Sequence, residues 1–387
     1  MQFSRLMDRF GDEVFASLNE KKLQLQKEGR KLYNMSIGTP DFVTPDYLKE
    51  ALIEAAKDNE NWKYALRDLP EMKQAVCDYY ADRFGVTITP DMVCSCYGTQ
   101  EGMGHLGMVL CNEGDTVLLP TPCYPVFIAG ANMAGAVPYY YPMTEENGYL
   151  PVVTDIPEDV ARRAKYMVVS LPSNPTGSVA NDTIYEEIIA FAKKYDIIIC
   201  HDNAYSDIIF DGLVGGSFLA HEGAAEVGAE FFSLSKSFNL TGARISFLVG
   251  RPDVVAAFAK LRSQIDFGMF LPIQKVAIAA LKGNREQVQQ QCLKYQDRRD
   301  ALCSGLRSIG WNVNDSKGSM FLWAPIPDSY KSSMDFCMDL LNHTGVICTP
   351  GSSFGPLGER YVRFALVLPP EEIAKAVAAI EPWWKTL

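Results

Sequence analysis

The sequence predicts an α/β fold in two parts. One is a large domain with a mainly parallel, mixed central sheet flanked by helices; the other is a smaller α+β domain. Three observations predict it. The chain has 387 residues, more than one domain of roughly 100–200 residues holds. Between residues 90 and 250 short apolar runs alternate with helical patterns, the signature of a parallel sheet crossed by helices. From Arg285 onward the pattern changes to a long charged helix, then strands and helices in another order.

A starting helix and the loop Ile37–Pro45 precede the large domain. Residues 1–45 are therefore grouped with 281–387 in the small domain, and 46–280 form the large one. Expected strands of the large domain are Val93–Tyr97, Thr116–Leu119, Tyr166–Leu171, Ile197–His201, Glu230–Leu234 and Ser246–Gly250. They are mostly apolar rather than alternating, as strands covered on both faces are. Between them, Asp182–Lys194 repeats Ile184, Ile188, Ile189 and Ala192 at helical spacing. The small domain should add strand Ser319–Trp323, helix Ser333–His343 and strand Tyr361–Val367.

Hydrophobic residues make up 48% of the chain, enough for a sizeable core. The formal charge is 36 − 47 = −11, so the basic footprint that nucleic acid or an anionic membrane requires is missing. The four histidines (His105, His201, His221, His343) are scattered and the ten cysteines irregular, with Cys94 and Cys96 in a strand. No metal is expected from such spacing, and unpatterned thiols suit a reducing compartment. The opening MQFSRLMDRFGDEVF is charged from Arg5 and has no apolar run, so a secretory leader is not expected. No stretch reaches the ~18 apolar residues of a membrane span. A cytoplasmic protein follows.

Several strands end in polar or special residues: Gly98-Thr99-Gln100, Ser173-Asn174-Pro175, Asp202 and Ser235-Lys236. In open α/β sheets ligands bind beyond such carboxyl ends. The strongest stretch is Ser233-Leu-Ser-Lys236-Ser-Phe-Asn-Leu-Thr-Gly-Ala-Arg244. A lysine amine becomes nucleophilic when burial and nearby positive charge keep it neutral. Ser233, Ser235 and Arg244 could supply hydrogen bonds and charge to a phosphate. Alone, the S-x-S-K string also suits a solvated surface loop.

Asp202 closes an apolar strand, where a carboxylate costs several kcal/mol unless paired. It either meets a ring nitrogen of a bound cofactor or caps a following helix. Tyr205 lies three residues on and could face the same crevice, joined by Asn174 from a turn signal, Ser173-Asn-Pro-Thr-Gly177. Gly98-Thr99-Gln100 joins a strand to an apolar helix, whose first amides make an anion site. Tyr124, between Pro122 and Pro125, could stack on a flat ring. Arg363 sits in an apolar strand and needs a carboxylate or phosphate, from a ligand or from an internal salt bridge.

Taken in order, these motifs resemble the fold-type-I pyridoxal-phosphate enzymes of the class I/II aminotransferases. The resemblance also covers Ile37-Gly-Thr-Pro-Asp-Phe42, Leu69-Pro-Glu-Met-Lys and Thr349-Pro-Gly-Ser-Ser-Phe-Gly355, and so runs nearly the whole chain. It implies that Lys236 is the Schiff-base lysine and Asp202 the pyridine-nitrogen partner. Asn174 and Tyr205 match the ring-oxygen contacts, and Tyr124 the stacking aromatic. Thr99, Gln100, Ser233, Ser235 and Arg244 match the phosphate cradle. Arg363 matches the clamp for the substrate α-carboxylate, with Gly38 nearby. A homodimer with shared active sites is implied, with Tyr64 as the tyrosine that touches the neighbour's phosphate.

Three departures stand out. Tyr64 is one residue closer to Leu69 than the family pattern has it, and Asp68 stands where glycine is common. Ser246 occupies a position usually glycine or alanine. Phe15–Pro45 and Arg262–Gln274 look like the LL-diaminopimelate aminotransferase branch, which often carries lysine where Gln100 stands. The resemblance implies transfer of an amino group from an L-amino acid to a 2-oxo acid. The rivals are a carbon–sulfur β-lyase sharing the cofactor apparatus and a cofactor-binding regulatory protein without turnover.

Overall fold

A computed structural model describes residues 3–11, 16–181 and 183–387. Phe15 and Asp182, the first residues of two stretches singled out above, lie outside the described residues. Strand β1 (Tyr33–Asn34) stands apart from the central sheet. That sheet is built from β2 (Val93–Cys96), β3 (Thr116–Thr121), β4 (Val137–Pro142), β5 (Ala164–Ser170), β6 (Ile198–Asn203), β7 (Gly228–Ser233) and β8 (Ser246–Gly250). Its order is β2-β8-β7-β6-β5-β3-β4, with β8 antiparallel to both neighbours and the other pairings parallel. The expected α/β architecture with a mainly parallel sheet is what the chain forms.

All six expected strands occur, with ends shifted by at most two residues. β4 was not foreseen. Its run Val-Pro-Tyr-Tyr-Tyr-Pro contains two prolines, which cannot donate to a ladder and are confined to sheet edges. β4 is indeed an edge strand, paired only with β3.

Side chains alternate across the sheet as a pleat requires. Met167, Val169, Ile199 and Phe232 enter one core, and Tyr166, Val168, Cys200 and Phe231 enter the core on the opposite face. Full burial of each such apolar side chain stabilises the fold by about 1.5–3 kcal/mol. The helix Ile184–Tyr195 buries Ile184, Ile188, Ile189 and Ala192, the apolar stripe read from the sequence.

A separate core gathers the chain's two ends. Leu18, Leu25 and Met35 pack with Trp311, Phe336 and Ile373. Here β9 (Phe321–Pro325), β11 (Thr349–Pro350) and β12 (Tyr361–Ala365) form an antiparallel sheet, while β1 pairs in parallel with β10 (Val346–Ile347). Ala204, Tyr205, Ile208 and Phe210, just beyond β6, also belong to this core. The long helix Glu286–Ser308 runs from one core to the other, with Val288 in the first and Leu302 in the second.

Candidate active site

Because β2, β3, β5, β6 and β7 point the same way, their carboxyl ends lie along one edge. A cavity of about 480 Å³ opens there. It is lined by Gly38, Thr99, Gln100, Tyr124, Asn174, Asp202, Tyr205, Ser233, Ser235, Lys236, Arg244 and Arg363. Of the residues singled out for the site, Tyr64 alone is not brought to this cavity. It stands 83% exposed beside Phe267, ring centroids 5.7 Å apart.

Asp202 and Lys236 open onto the same space from adjacent strands. Asp202 is buried, and its Oδ1 has no hydrogen-bond partner. Burial pushes its carboxyl up to about 6, against the pull of His201, the Ala204 amide and Lys236. No helix follows it, so it caps none. Lys236 sits in the single turn Leu234–Ser237 after β7 and donates from Nζ to the Gly38 carbonyl at 2.7 Å. Burial, then the guanidiniums of Arg363 and Arg244, push its amine down to about 8. The opposed displacements leave an acid and an amine both titrating near neutrality, the condition for proton transfer at that pH.

Arg363, on β12, is buried between two rings, with its guanidinium carbon 4.1 Å from the Phe321 centroid and 4.7 Å from that of Phe354. Nη1 donates to Asn174 Oδ1 at 2.8 Å, and Nη2 to the Ser36 carbonyl at 2.9 Å and Thr349 Oγ1 at 3.3 Å. Nε has no partner, and among the described residues no carboxylate pairs with this guanidinium. The internal salt bridge is therefore absent there. Burial pulls the guanidinium down to about 10. A buried cation with an idle donor is built for an anion from outside the chain.

A second anion site surrounds the start of the helix Thr99–Leu110. Its cap is Gly98 at φ +85°, with no side chain satisfying the first amides. A β-carbon on Gly98 would lie 2.3 Å from Arg244 Nη2, so glycine lets the guanidinium cross the helix start. Arg244 donates to the Thr241 carbonyl at 2.9 Å and the Tyr97 carbonyl at 3.2 Å. Ser233 Oγ accepts from the Ser235 amide at 3.1 Å and from Ser246 Oγ at 3.0 Å. Ser246 thus props the cradle from behind.

Tyr124 donates to Gln100 Oε1 at 3.0 Å, and burial pushes the phenol pKa of both Tyr124 and Tyr205 up, holding them neutral. Asn174 does lie in a turn, closed by Gly177 N–H on the Ser173 carbonyl at 3.0 Å, and that turn carries the side chain to Arg363. Asp68 accepts from the amide and hydroxyl of Ser95, at 2.8 and 2.6 Å, well away from the cavity lining.

The match to known families agrees with this geometry. Residues 30–380 match the model of aminotransferase class I and II. The chain belongs to that family. It is 39% identical to the LL-diaminopimelate aminotransferase of Dehalococcoides mccartyi over 98% of both chains. It is 37% identical to the glutamate-pyruvate aminotransferase AlaC of Escherichia coli, over 99% of this chain and 94% of that one. Among solved structures, substrate-bound BacF from Bacillus subtilis superposes with a TM-score of 0.95 at 35% identity, covering 99% of this chain and 98% of that one.

The protein is thus a pyridoxal-phosphate-dependent aminotransferase. The cavity fits that cofactor on its own terms. The orphaned Asp202 oxygen suits a protonated ring nitrogen, the depressed amine suits an aldehyde, and the uncapped helix start with Arg244 suits a phosphate. Sequence reasoning missed the Phe321–Phe354 sandwich, the Ser36 carbonyl and Thr349. The hydroxyl stood in the quoted Thr349-Pro-Gly motif, whereas carbonyl contacts leave no sequence signal.

Proposed function

We propose that Lys236 carries the cofactor through its amine, and that this cavity moves an amino group from an L-amino acid to a 2-oxo acid. One observation carries the reading: a buried carboxylate with one oxygen left open and a depressed amine face a single cavity. When bound, pyridoxal phosphate supplies an aldehyde for the amino group and a ring that accepts electron density from the α-carbon. Asp202 holds a proton at the ring nitrogen, while Asn174 and Tyr205 hydrogen-bond the ring oxygen. Tyr124 stacks on the ring; Thr99, Gln100, Ser233, Ser235 and Arg244 hold the phosphate. Arg363 fixes the substrate α-carboxylate beside Gly38. Lys236, once the substrate amine had displaced it, would take the proton from the α-carbon and deliver it to the cofactor carbon that had been the aldehyde.

The names of the relatives put LL-diaminopimelate first among the amino donors to test, with glutamate and alanine next. Residues 46–280 form a large domain, and 1–45 with 281–387 a small one, the cavity lying between them. A homodimer accounts for the exposed aromatics Trp62, Tyr64 and Phe267, with Tyr64 reaching the neighbour's phosphate. Ten free thiols suit the cytoplasm, and among the described residues no helix is long and apolar enough to cross a membrane.

The test is a single half-reaction. Yellow, cofactor-loaded protein mixed with glutamate or LL-diaminopimelate should lose its colour and release the matching 2-oxo acid. Persistent yellow with every donor, together with pyruvate and thiol release from cysteine conjugates, would establish the β-lyase instead.

A further inference from the structure

The cavity lining carries four cations, Lys22, Lys236, Arg244 and Arg363, against one acid, Asp202. The reading above, on which this inference rests, assigns three of them: the amine that carries the cofactor, the phosphate partner and the α-carboxylate clamp. Lys22 is left over.

Its position is not that of an ordinary surface lysine. On the helix Ala16–Lys27, Leu18 and Leu25 are each only 4% exposed and enter the core of the chain ends. Lys22 lies four residues after the first and three before the second, hence on the same inward stripe. Its neighbours on the helix are engaged locally: Lys21 donates to Gln24 at 3.3 Å, and Gln24 to Glu28 at 2.9 Å. Among the described residues nothing pairs with Lys22. A half-buried cation facing a cavity without a counterion favours an anion there. Asn19, one turn earlier on the same face, also lines the cavity and adds an amide donor. Ile37, Ile347 and Leu18 line the same cavity and offer apolar surface suited to methylene groups.

We infer that Lys22 is a specificity residue that receives the distal carboxylate of a dicarboxylic substrate. Arg363 takes the carboxylate next to the reacting carbon; Lys22, with Asn19, takes the one at the far end of the chain.

The experiment uses the cofactor-loaded enzyme in its amine form and compares 2-oxoglutarate with pyruvate, which lacks the distal acid. Alanine is the best helix former, so Lys22→Ala leaves the helix intact. It should raise the KM for 2-oxoglutarate and lower the kcat/KM ratio of 2-oxoglutarate to pyruvate roughly tenfold, as loss of one charged hydrogen bond does. Lys22→Arg should restore most of that ratio. Binding of glutarate, an unreactive dicarboxylate, should weaken by a similar factor in Lys22→Ala when titrated calorimetrically. An unchanged ratio, with glutarate binding also unchanged, overturns the assignment of Lys22 and leaves the transaminase reading standing. Wild-type enzyme that fails to exchange an amino group with any amino acid breaks the underlying reading instead.

Discussion

Two buried carboxylates on neighbouring strands have opposite fates. In the register of β6 and β7, His201 lies opposite Glu230 and Asp202 opposite Phe231. Glu230 is fully buried and accepts from Tyr80 Oη and Ser217 Oγ at 2.6 Å each, and from the Phe218 amide at 3.0 Å; His201 Nδ1 lies 3.2 Å away. Burial alone would push its carboxyl up, but His201, Ser217 and Tyr80 outweigh it and hold it below its ordinary value. Asp202 has only the fields of His201 and Lys236 and the Ala204 amide against burial, and burial wins. A buried acid whose lone pairs are filled by the chain is scaffold. One left open is addressed to something the chain does not contain.

That contrast can be broken most decisively at the amine facing Asp202. Lys236→Ala should cost turnover roughly a thousandfold or more and leave a folded protein that retains no covalent cofactor after borohydride reduction and peptide mapping. Covalent cofactor retained on another residue would end the assignment.

Next come the two acids themselves, whose amides should shift stability in opposite directions. The folded Asp202 titrates near 6 against an ordinary 3.8, so its contribution is present below about 4 and is lost as pH rises through 6. In the cofactor-free protein at pH 7.5, Asp202→Asn should therefore raise stability, by on the order of 3 kcal/mol, and the gain should vanish by pH 4. The same change should cost turnover roughly a hundredfold in the loaded enzyme. Glu230→Gln should instead destabilise by about 3 kcal/mol. Denaturant melts of both variants decide it; shifts of the same sign would erase the distinction.

The smallest effect concerns pH. With the Lys236 amine depressed to about 8, cofactor-free protein should capture pyridoxal phosphate about fivefold faster at pH 8 than at pH 7, levelling off above. A rate still climbing steeply at pH 10 would mean an ordinary, exposed lysine.

Much of this site could be read from the sequence because strand ends announce themselves. Asp202 and Lys236 follow apolar runs that cannot tolerate charge for nothing, and Gly98 precedes an apolar helix. What stayed hidden has physical reasons. β4 was concealed by prolines that only an edge strand accommodates. The carbonyls of Ser36 and Gly38 belong to every residue alike and carry no side-chain signal. Phe321 and Phe354 read as plain core until the second sheet brings them against Arg363. Lys22 belongs to no motif, and its helix, Ala16–Lys27, is too weakly amphipathic to mark an inward face in the sequence. Tyr64 was noticed only through its motif, and a single chain leaves it pointing to solvent.

The guanidinium of Arg363 also acts at a distance. It is the second cause, after burial, of the low proton affinity of Lys236. A docking acid group cancels that positive field, so the free amine grips protons more strongly once a substrate has arrived than before. The enzyme's base is thereby strengthened by the molecule it is about to deprotonate, and an empty cavity leaves a larger share of its amine in the unprotonated form that captures aldehydes.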